Sequence, residues 1–218
     1  MRTRFELLVF DWDGTLMDST AIIVASLQAA CRDLGLPVPT DERAHHIIGL
    51  GLHDAMAHVL PGVDNAEYPR VVERYRYHFR LRDPDAPLFP GTEQALRRLN
   101  DAGFLLAVAT GKGRRGLERS LAATGLKPYF HATRCADEGH AKPHPGMLQA
   151  LIDELGTSKD RTLMIGDTTH DMEMARAAGV TRLGAAYGAH SKDALLSYAP
   201  VACVDGIGAL RHWLLRHA

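Results

Sequence analysis

Short apolar runs that stop abruptly at a polar residue recur along this chain. Residues 5–10 are apolar apart from Glu6, and the run ends at Asp11. Similar runs follow downstream, at residues 104–110, 161–167, 180–184 and 202–204. Runs of this kind are typical of strands buried on both faces of a parallel sheet.

Apolar positions at helical spacing fill the intervals between these runs. They predict helices over residues 93–101, 115–124, 145–155, 171–178 and 207–215. Strand and helix therefore alternate from Pro90 onward, which is typical of βαβ crossovers. The predicted fold class is α/β, a doubly wound parallel sheet of the Rossmann-like type.

Residues 20–85 break this alternation. Ile23, Leu27, Ala30 and Leu34 have helical spacing, and no comparable buried-strand run is present. Turn-forming segments rich in Asp, Gly and Pro stand at both edges of the interval. We therefore predict a core domain of residues 1–19 and 86–218, with a small helical domain of residues 20–85 inserted after the first strand.

The segment RYRYHFRLR, residues 74–82, is ambiguous, since basic and apolar residues alternate as they do in a strand. As a helix it places Val71, Val72, Tyr75 and Phe79 on one face, and we predict a helix. Interleaved cations and aromatics also occur in proteins that bind single-stranded nucleic acid. We interpret the segment as a solvated cationic helix face, because the chain as a whole is not basic.

The overall charge offers no general attraction to nucleic acid or membranes. Lys and Arg total 25 against 26 Asp and Glu, and no run approaches the ~18 apolar residues of a membrane span. Cys31, Cys135 and Cys203 lack CxxC spacing, so neither a disulfide framework nor a zinc site is indicated. We expect a cytoplasmic protein without a nucleic-acid or membrane partner, and no protein partner is evident.

Four polar clusters stand where predicted strands end or helices begin, which is where open α/β sheets bind ligands. The first contains Asp11 and Asp13, followed by Gly14. It offers a nucleophile, a second acid and a metal-facing carbonyl, although an Asp-Gly pair alone also forms ordinary turns. The second, Thr110-Gly111-Lys112, offers a hydroxyl and glycine amides suited to phosphate oxygens.

The other two clusters supply a cation and two more acids. Lys142 stands in a loop before a predicted helix, where it is either solvated or a fixed phosphate-binding cation. Asp167 and Asp171 are four residues apart at a strand-to-helix junction. Their spacing suits Mg²⁺, but it also suits the capping of a helix N-terminus.

These residues together resemble the haloacid dehalogenase superfamily of phosphotransferases, specifically its phosphatases. The segment DWDGT is similar to the DxDGT nucleophile motif, Thr110 and Lys142 to the second and third motifs, and GDTTHD to the fourth, GDxxxD. All four motifs occur in order, and the resemblance covers nearly the whole chain. It implies that residues 20–85 form a helical cap over the site.

The resemblance also implies a mechanism. Asp11 would attack phosphorus and form an aspartyl-phosphate, and Asp13 would protonate the leaving oxygen and later deprotonate water. Mg²⁺ would be held by Asp11, the Asp13 carbonyl and Asp167.

The remaining matched residues would bind the phosphate. Thr110, Gly111 and Lys142 would contact its oxygens, and Asp171 would orient Lys142 or a metal-bound water. Such a division of roles is mostly positioning and electrostatics, as phosphoryl transfer requires.

Departures from other branches of the family favour phosphate hydrolysis. Dehalogenases lack the second acid, which is Asp13 here. Phosphonate-cleaving relatives use a cap lysine, whereas no lysine precedes Lys112. Mutases carry a histidine about a dozen residues after the nucleophile, where residues 22–24 are Ile, Ile and Val.

Two further patterns invite other functions. Residues 111–116 spell GxGxxG, the dinucleotide-binding fingerprint, but residues 130–136 contain no acid to bind a ribose. Among the twelve histidines, His45 and His46 are adjacent and no HExxH occurs, so we interpret most as surface or packing residues.

The predicted function is therefore a Mg²⁺-dependent phosphatase for a small phosphorylated metabolite, with phosphoglycolate as the leading substrate. The alternatives are a sugar-phosphate phosphatase, nucleotidase, pyrophosphatase or mutase, or a non-catalytic binding module on the same fold. Substrate choice is expected to depend on the cap, where residues 49–52 and Arg43, His45 and His46 could face the site.

Overall fold

Six parallel strands form the central sheet of the protein. The computed structural model describes residues 4–82 and 86–218. The strands are β1 (Leu7–Phe10), β2 (Leu105–Thr110), β3 (Ala132–Cys135), β4 (Thr162–Gly166), β5 (Thr181–Ala185) and β6 (Cys203–Val204). Their spatial order is 3-2-1-4-5-6, the order of doubly wound dinucleotide-binding folds. The predicted fold class is confirmed.

Helices cover both faces of this sheet and form a separate layer above one end of it. They are α1 (Thr20–Asp33), α2 (Asp41–His46), α3 (Leu52–Val59), α4 (Tyr68–Arg82), α5 (Thr92–Asp101), α6 (Arg114–Thr124), α7 (Gly146–Glu154), α8 (Thr169–Ala178), α9 (Lys192–Leu196) and α10 (Ile207–His217). Within the described residues, short 3₁₀ turns span Asn65–Glu67, Lys127–Tyr129 and Lys159–Arg161. None of the described helices is both long and apolar enough to cross a membrane.

Strand β1 explains why the apolar runs of the sequence are uninterrupted. Leu8 and Phe10 pack into one hydrophobic cluster, while Leu7 and Val9 pack into another on the opposite face. Because neighbouring side chains of a strand point to opposite faces, a central strand covered by helices must be apolar at every position.

The helices α1 to α4 have a hydrophobic cluster of their own. Leu27, Met56 and Val71 are buried in it, and Phe79 of α4 packs against the same group. Segment 74–82 is helical, as predicted, and its Arg74 and His78 both contact the Asp33 carboxylate of α1. The predicted boundary at residue 85 lies outside the described residues.

Two short elements have no counterpart in the sequence prediction. Strand β3 lies at the edge of the sheet, where Thr133 and Arg134 are only half-buried, so it lacks an apolar run. Helix α9 has five residues, too few for a periodic pattern to develop.

Candidate active site

The carboxyl ends of β1, β2 and β4 meet at one edge of the sheet. Strand β1 pairs in parallel with both β2 and β4, so Asp11, Thr110 and Asp167 emerge side by side. Each of the three is almost completely buried. The sequence prediction that these residues share one site therefore matches their placement in the fold.

Asp11 is held by a backbone group and a buried cation. The Trp12 N–H donates to Asp11 Oδ1 at 2.6 Å, and the Lys142 Nζ lies 2.9 Å from the same oxygen. Burial raises the pKa of Asp11 well above its ordinary value, although the ammonium of Lys142 opposes the shift. The carboxylate form thus depends on nearby positive charge.

Lys142 supplies part of that charge from a fully buried position. Its Nζ also lies 2.7 Å from Asp171 Oδ1, so one ammonium bridges two carboxylates. Burial disfavours the charged lysine, but Asp11 and Asp171 raise its pKa above the ordinary value. Lys142 is therefore a fixed cation rather than a solvated surface lysine.

Asp171 is fixed by the start of helix α8. Its Oδ2 accepts hydrogen bonds from the Thr168 N–H at 3.0 Å and from the Thr168 hydroxyl at 2.7 Å. The Thr168 hydroxyl in turn accepts from the Asp171 N–H, which completes a capping box. Asp171 therefore does cap the N-terminus of α8, as one interpretation of the motif predicted. The cap uses only Oδ2, and Oδ1 remains available to contact Lys142.

Asp167 is anchored by two groups from distant parts of the chain. Its Oδ1 accepts from the Thr15 hydroxyl at 2.6 Å, and its Oδ2 accepts from the Ala189 N–H at 2.8 Å. Burial raises the pKa of Asp167 to about 7, and the negative charge of Asp171 adds to the shift. The close packing of Gly14 and Gly188 against this side chain leaves no room for a Cβ at either glycine.

The three buried acids fit a divalent cation. Carboxylate oxygens of Asp11, Asp167 and Asp171 all lie within 4.8 Å of one another. With Lys142 as their shared counter-ion, the group has more negative than positive charge when all three acids are ionised. Carboxylate oxygens are the ligands that Mg²⁺ prefers, and a bound cation would remove this imbalance.

Asp13 faces a different partner from Asp11. The Lys112 Nζ lies 2.9 Å from both Asp13 oxygens, and the Ser19 hydroxyl donates to Oδ1 at 2.7 Å. The Lys112 ammonium also lies 4.5 Å from the ring centroid of Phe79 on α4, a cation–π distance. Lys112 belongs to the second polar cluster of the sequence, but its contact with Asp13 was not predicted, and Ser19, which lies six residues after Asp13, was missed.

Thr110 and Gly111 form the next part of the floor. The Thr110 hydroxyl oxygen accepts from the Lys112 N–H at 3.1 Å, and Thr110 is buried. A Cβ at Gly111 would lie 2.4 Å from the carbonyl oxygen of Gly49, in the loop between α2 and α3. The helical layer therefore touches the sheet edge at a position that only glycine can occupy.

A cavity of about 560 Å³ opens above this floor. Asp11, Asp13 and Thr110 line it from below, and residues of the helical layer line it from above, including Ile47, Gly49, Leu50, Leu52, Tyr75 and Phe79. The predicted contribution of residues 49–52 agrees with this lining. A site of this size suits a small molecule.

The expectation that Arg43 meets the substrate is wrong. Its guanidinium donates to the carbonyl of His58, and it lies beside a second groove within the helical layer, lined by Leu60 and Val63. His45 contacts the carbonyl of Asp41 rather than the cavity. Both residues lie on the short helix α2, whose orientation the sequence pattern did not define.

Three histidines join the helical layer to the core. The His46 carbonyl lies 2.8 Å from His170 Nε2 and 3.2 Å from His190 Nε2, while His190 Nδ1 accepts from the Thr169 N–H. Burial lowers the pKa of His190 to about 4 and lowers that of His170. His170 and His190 therefore hydrogen-bond as neutral rings, and all three histidines pack between the two layers, in agreement with the packing interpretation.

The GxGxxG segment follows β2 and precedes α6, but it is not arranged for a dinucleotide. The strand order reverses between β1 and β4, and ligands of such folds bind there rather than beyond β2. Residues 130–136 contain no acid, as the sequence shows, but Asp137 follows directly after them, two residues beyond β3. Its carboxylate accepts from the Arg114 N–H at 2.9 Å, so it occupies the start of α6, where a pyrophosphate would bind.

Comparisons with known proteins agree with this site. Residues 8–185 match the family described as haloacid dehalogenase-like hydrolase. The probable phosphatase IndB of Dickeya dadantii is 38% identical over 204 residues, which cover 91% of this chain and 89% of that protein. The phosphoglycolate phosphatase of Agrobacterium fabrum is 30% identical over 210 residues, with 94% and 90% covered.

A solved structure supports the fold. A hydrolase from Pseudomonas syringae superposes with a TM-score of 0.90 at 23% identity, over 98% of this chain and 99% of that one. The chain therefore belongs to the haloacid dehalogenase-like hydrolase family. Within that family it is a phosphatase, an enzyme that hydrolyses phosphoric monoesters.

Proposed function

We propose that this phosphatase requires Mg²⁺, acts through an aspartyl-phosphate on Asp11, and hydrolyses a small phosphorylated metabolite, with phosphoglycolate as the leading substrate. The observation that carries the proposal is the placement of Asp11 beside Lys142 and Thr110 on the floor of a small cavity. The name of the Agrobacterium fabrum relative favours phosphoglycolate.

Asp11 is the nucleophile of the proposed reaction. Its Oδ1 contacts to Trp12 and Lys142 fix the carboxylate at the carboxyl end of β1, directly under the cavity. Attack on phosphorus expels the leaving-group oxygen and leaves the phosphoryl group on Asp11. A covalent intermediate splits one difficult displacement into two easier ones.

Asp13 is the acid and base of the proposed reaction. It lines the same cavity two residues beyond Asp11, with Ser19 and Lys112 fixing its carboxylate. Asp13 would give a proton to the leaving oxygen and then take one from the water that hydrolyses the aspartyl-phosphate.

The remaining polar groups bind the phosphoryl group. Thr110, the Gly111 N–H and Lys142 would contact its oxygens, and Asp171 would position Lys142. Asp11, Asp167 and the Asp13 carbonyl would hold Mg²⁺, which supplies neutralisation of phosphoryl charge when bound.

We further propose that helices α1 to α4, within residues 20–85, act as a cap on a core of residues 1–19 and 86–218. The loop at Gly49 touches Gly111 in this structure, so the cap stands in a closed position over the floor. Closure would exclude bulk water from the aspartyl-phosphate and restrict the leaving group to a small molecule.

A panel of phosphorylated metabolites tests this function. Purified protein should release phosphate from phosphoglycolate and from p-nitrophenyl phosphate with Mg²⁺, lose that activity in EDTA, and regain it with added Mg²⁺ but not with Ca²⁺. The larger ion accepts looser, higher coordination, which would spoil the alignment of Asp11. Undiminished activity after thorough chelation would contradict the metal assignment.

A further inference from the structure

We propose that four arginines at the mouth of the cavity bind a second anionic group of the substrate, a carboxylate or a phosphate on the leaving group. We call Arg76, Arg80, Arg115 and Arg119 the arginine cluster; all four line the cavity above Asp11. This inference rests on the proposed function, and it narrows the substrate class to doubly anionic compounds.

The arginine cluster is formed by two helices, one in the cap and one in the core. Arg76 and Arg80 stand four residues apart on α4 of the cap, and Arg115 and Arg119 stand four residues apart on α6 of the core. Residues at this spacing lie on the same face of a helix. Helix α4 of the cap and helix α6 of the core therefore each contribute two arginines to the cavity lining, and all four arginines are exposed at its mouth.

These four charges have no carboxylate partners among the described residues. None of the described Asp or Glu oxygens lies within 4 Å of their guanidinium nitrogens, whereas Lys112 pairs with Asp13 in the same cavity. Arg114, their neighbour, pairs with Glu138 at 2.7 Å. Asp137, which also lines the cavity, accepts the Arg114 N–H, so the arginine cluster holds positive charge without a direct carboxylate partner.

Helix stability does not account for this arrangement. Like charges four residues apart destabilise a helix, and both pairs have that spacing. Binding of an anion between the paired arginines would offset this repulsion.

Guanidinium groups suit the two anions named. Arginine forms paired, charge-assisted hydrogen bonds with carboxylates and phosphates alike. Because the cluster spans cap and core, an anion held between its two helices would favour the closed state. The phosphoryl group on Asp11 and the second anion would then fix both ends of a short substrate.

A matched pair of substrates tests this inference. Phosphoglycolate and 2-hydroxyethyl phosphate have similar size, but only the first carries a carboxylate on its leaving group. We expect wild-type kcat/KM to favour phosphoglycolate by about 10- to 100-fold, the effect of one or two charge-assisted hydrogen bonds. Pyrophosphate, as a third substrate, shows whether a phosphate serves better than a carboxylate as the second anion.

Two double variants locate the effect. In Arg76→Gln/Arg80→Gln and in Arg115→Gln/Arg119→Gln, the preference for the anionic substrate should fall about tenfold or more. The ratio of the two substrates is measured within each variant, so a general loss of activity does not affect it. Arg97→Gln/Arg98→Gln removes the same charge from exposed positions on α5 and should leave the ratio unchanged.

The outcomes separate this inference from the proposed function. Equal kcat/KM for the matched pair and for pyrophosphate, or an unchanged ratio in both cluster variants, would overturn the arginine cluster as an anion site. Absence of Mg²⁺-dependent hydrolysis of p-nitrophenyl phosphate, which has no second anion, would instead contradict the proposed function itself.

Discussion

At the scale of single residues, the site is a small group of buried charges that depend on one another. Lys142 contacts Asp11 and Asp171, and none of the three has appreciable access to solvent. Burial raises the pKa values of Asp11 and Asp167, so these acids resist ionisation unless positive charge is near. The proposed mechanism needs Asp11 and Asp167 in their ionised forms. A lysine and a divalent cation together would stabilise those forms.

Replacing Lys142 by Met tests the role of the buried cation. The substitution keeps the length of the side chain but leaves two carboxylates without their counter-ion, which commonly costs about 3 kcal/mol. We expect a loss of that order in the unfolding free energy at pH 8, measured by urea titration in EDTA. The loss should be smaller at pH 5, because burial raises the pKa of Asp11 and a protonated Asp11 needs no counter-ion.

The exposed Lys127 provides the control for this experiment. Lys127→Met should change stability little at either pH. An equal loss for Lys142→Met at pH 5 and pH 8, or no loss at all, would show that the carboxylates do not depend on Lys142 for compensation.

The pKa of Asp167 predicts how Mg²⁺ stabilises the protein. With that pKa raised to about 7 from an ordinary 3.8, the folded metal-free protein binds more protons than the unfolded chain between about pH 4 and 7. This group therefore lowers stability as the pH rises through that window. Mg²⁺ should reverse the loss, so the increase in Tm on adding Mg²⁺ should grow from pH 5 to pH 8.

Asp167→Asn supplies the comparison. The variant should show a much smaller Mg²⁺-induced increase in Tm, and the increase should depend less on pH than in the wild type, because only the raised pKa of Asp11 then remains among the proposed ligands. Each increase in Tm compares one protein with and without Mg²⁺ at the same pH. Protonation of His170 and His190 affects both measurements equally, so its contribution cancels. An increase in Tm that is constant from pH 5 to pH 8 in the wild type would argue against Asp167 as a ligand.

At the scale of elements, loops at the ends of strands bring the cap and the core together. The Gly49 loop of the cap rests on Gly111 at the end of β2, and the His46 carbonyl is bonded by two core histidines. Each of these contacts involves a backbone carbonyl of the helical layer. A change at one of these points should therefore disturb the position of the cap.

Gly111→Ala tests whether this contact is needed for closure. The added methyl would meet the Gly49 carbonyl at 2.4 Å and the Leu50 carbonyl at 2.8 Å, both backbone atoms that cannot rotate away. We expect kcat/KM for p-nitrophenyl phosphate to fall by about 10- to 100-fold, since displacements near 1 Å have effects of that size. Gly208→Ala on α10, where a methyl meets nothing within 4 Å, is the matched control. Wild-type kcat/KM in Gly111→Ala would mean that the contact has no part in catalysis.

At the scale of the whole molecule, the structural features predicted correctly are those that depend on short-range patterns of residues along the sequence. The buried strands β1, β2 and β4 appear as apolar runs, and the acids that follow them converge because parallel strands end at the same edge. Pairings between distant segments could not be predicted in this way. Lys112 meets Asp13 across 99 positions of sequence, and α4 faces α6 only once the cap is folded over the core.

Some interpretations from the sequence lacked this spatial information. The sequence allowed Arg43 to face the site, yet α2 directs it to another groove. Among the arginines that do line the cavity, Arg76 and Arg80 lie in a segment interpreted as a solvated helix face, and Arg115 lies in the GxGxxG segment. Charge patterns on helices identify a face, but only the packing of the helix shows what that face meets.

The most direct test of the account is the rate of phosphate release from p-nitrophenyl phosphate with Mg²⁺ by the wild type and by Asp11→Asn. The amide keeps the size of the side chain and removes the nucleophilic charge, so the fold should be retained, as judged by an unchanged or higher Tm in the absence of metal. We predict a loss in kcat of about 10⁴-fold or more, the scale seen when an enzyme loses its covalent nucleophile. Wild-type turnover by a folded Asp11→Asn protein would contradict the proposed mechanism.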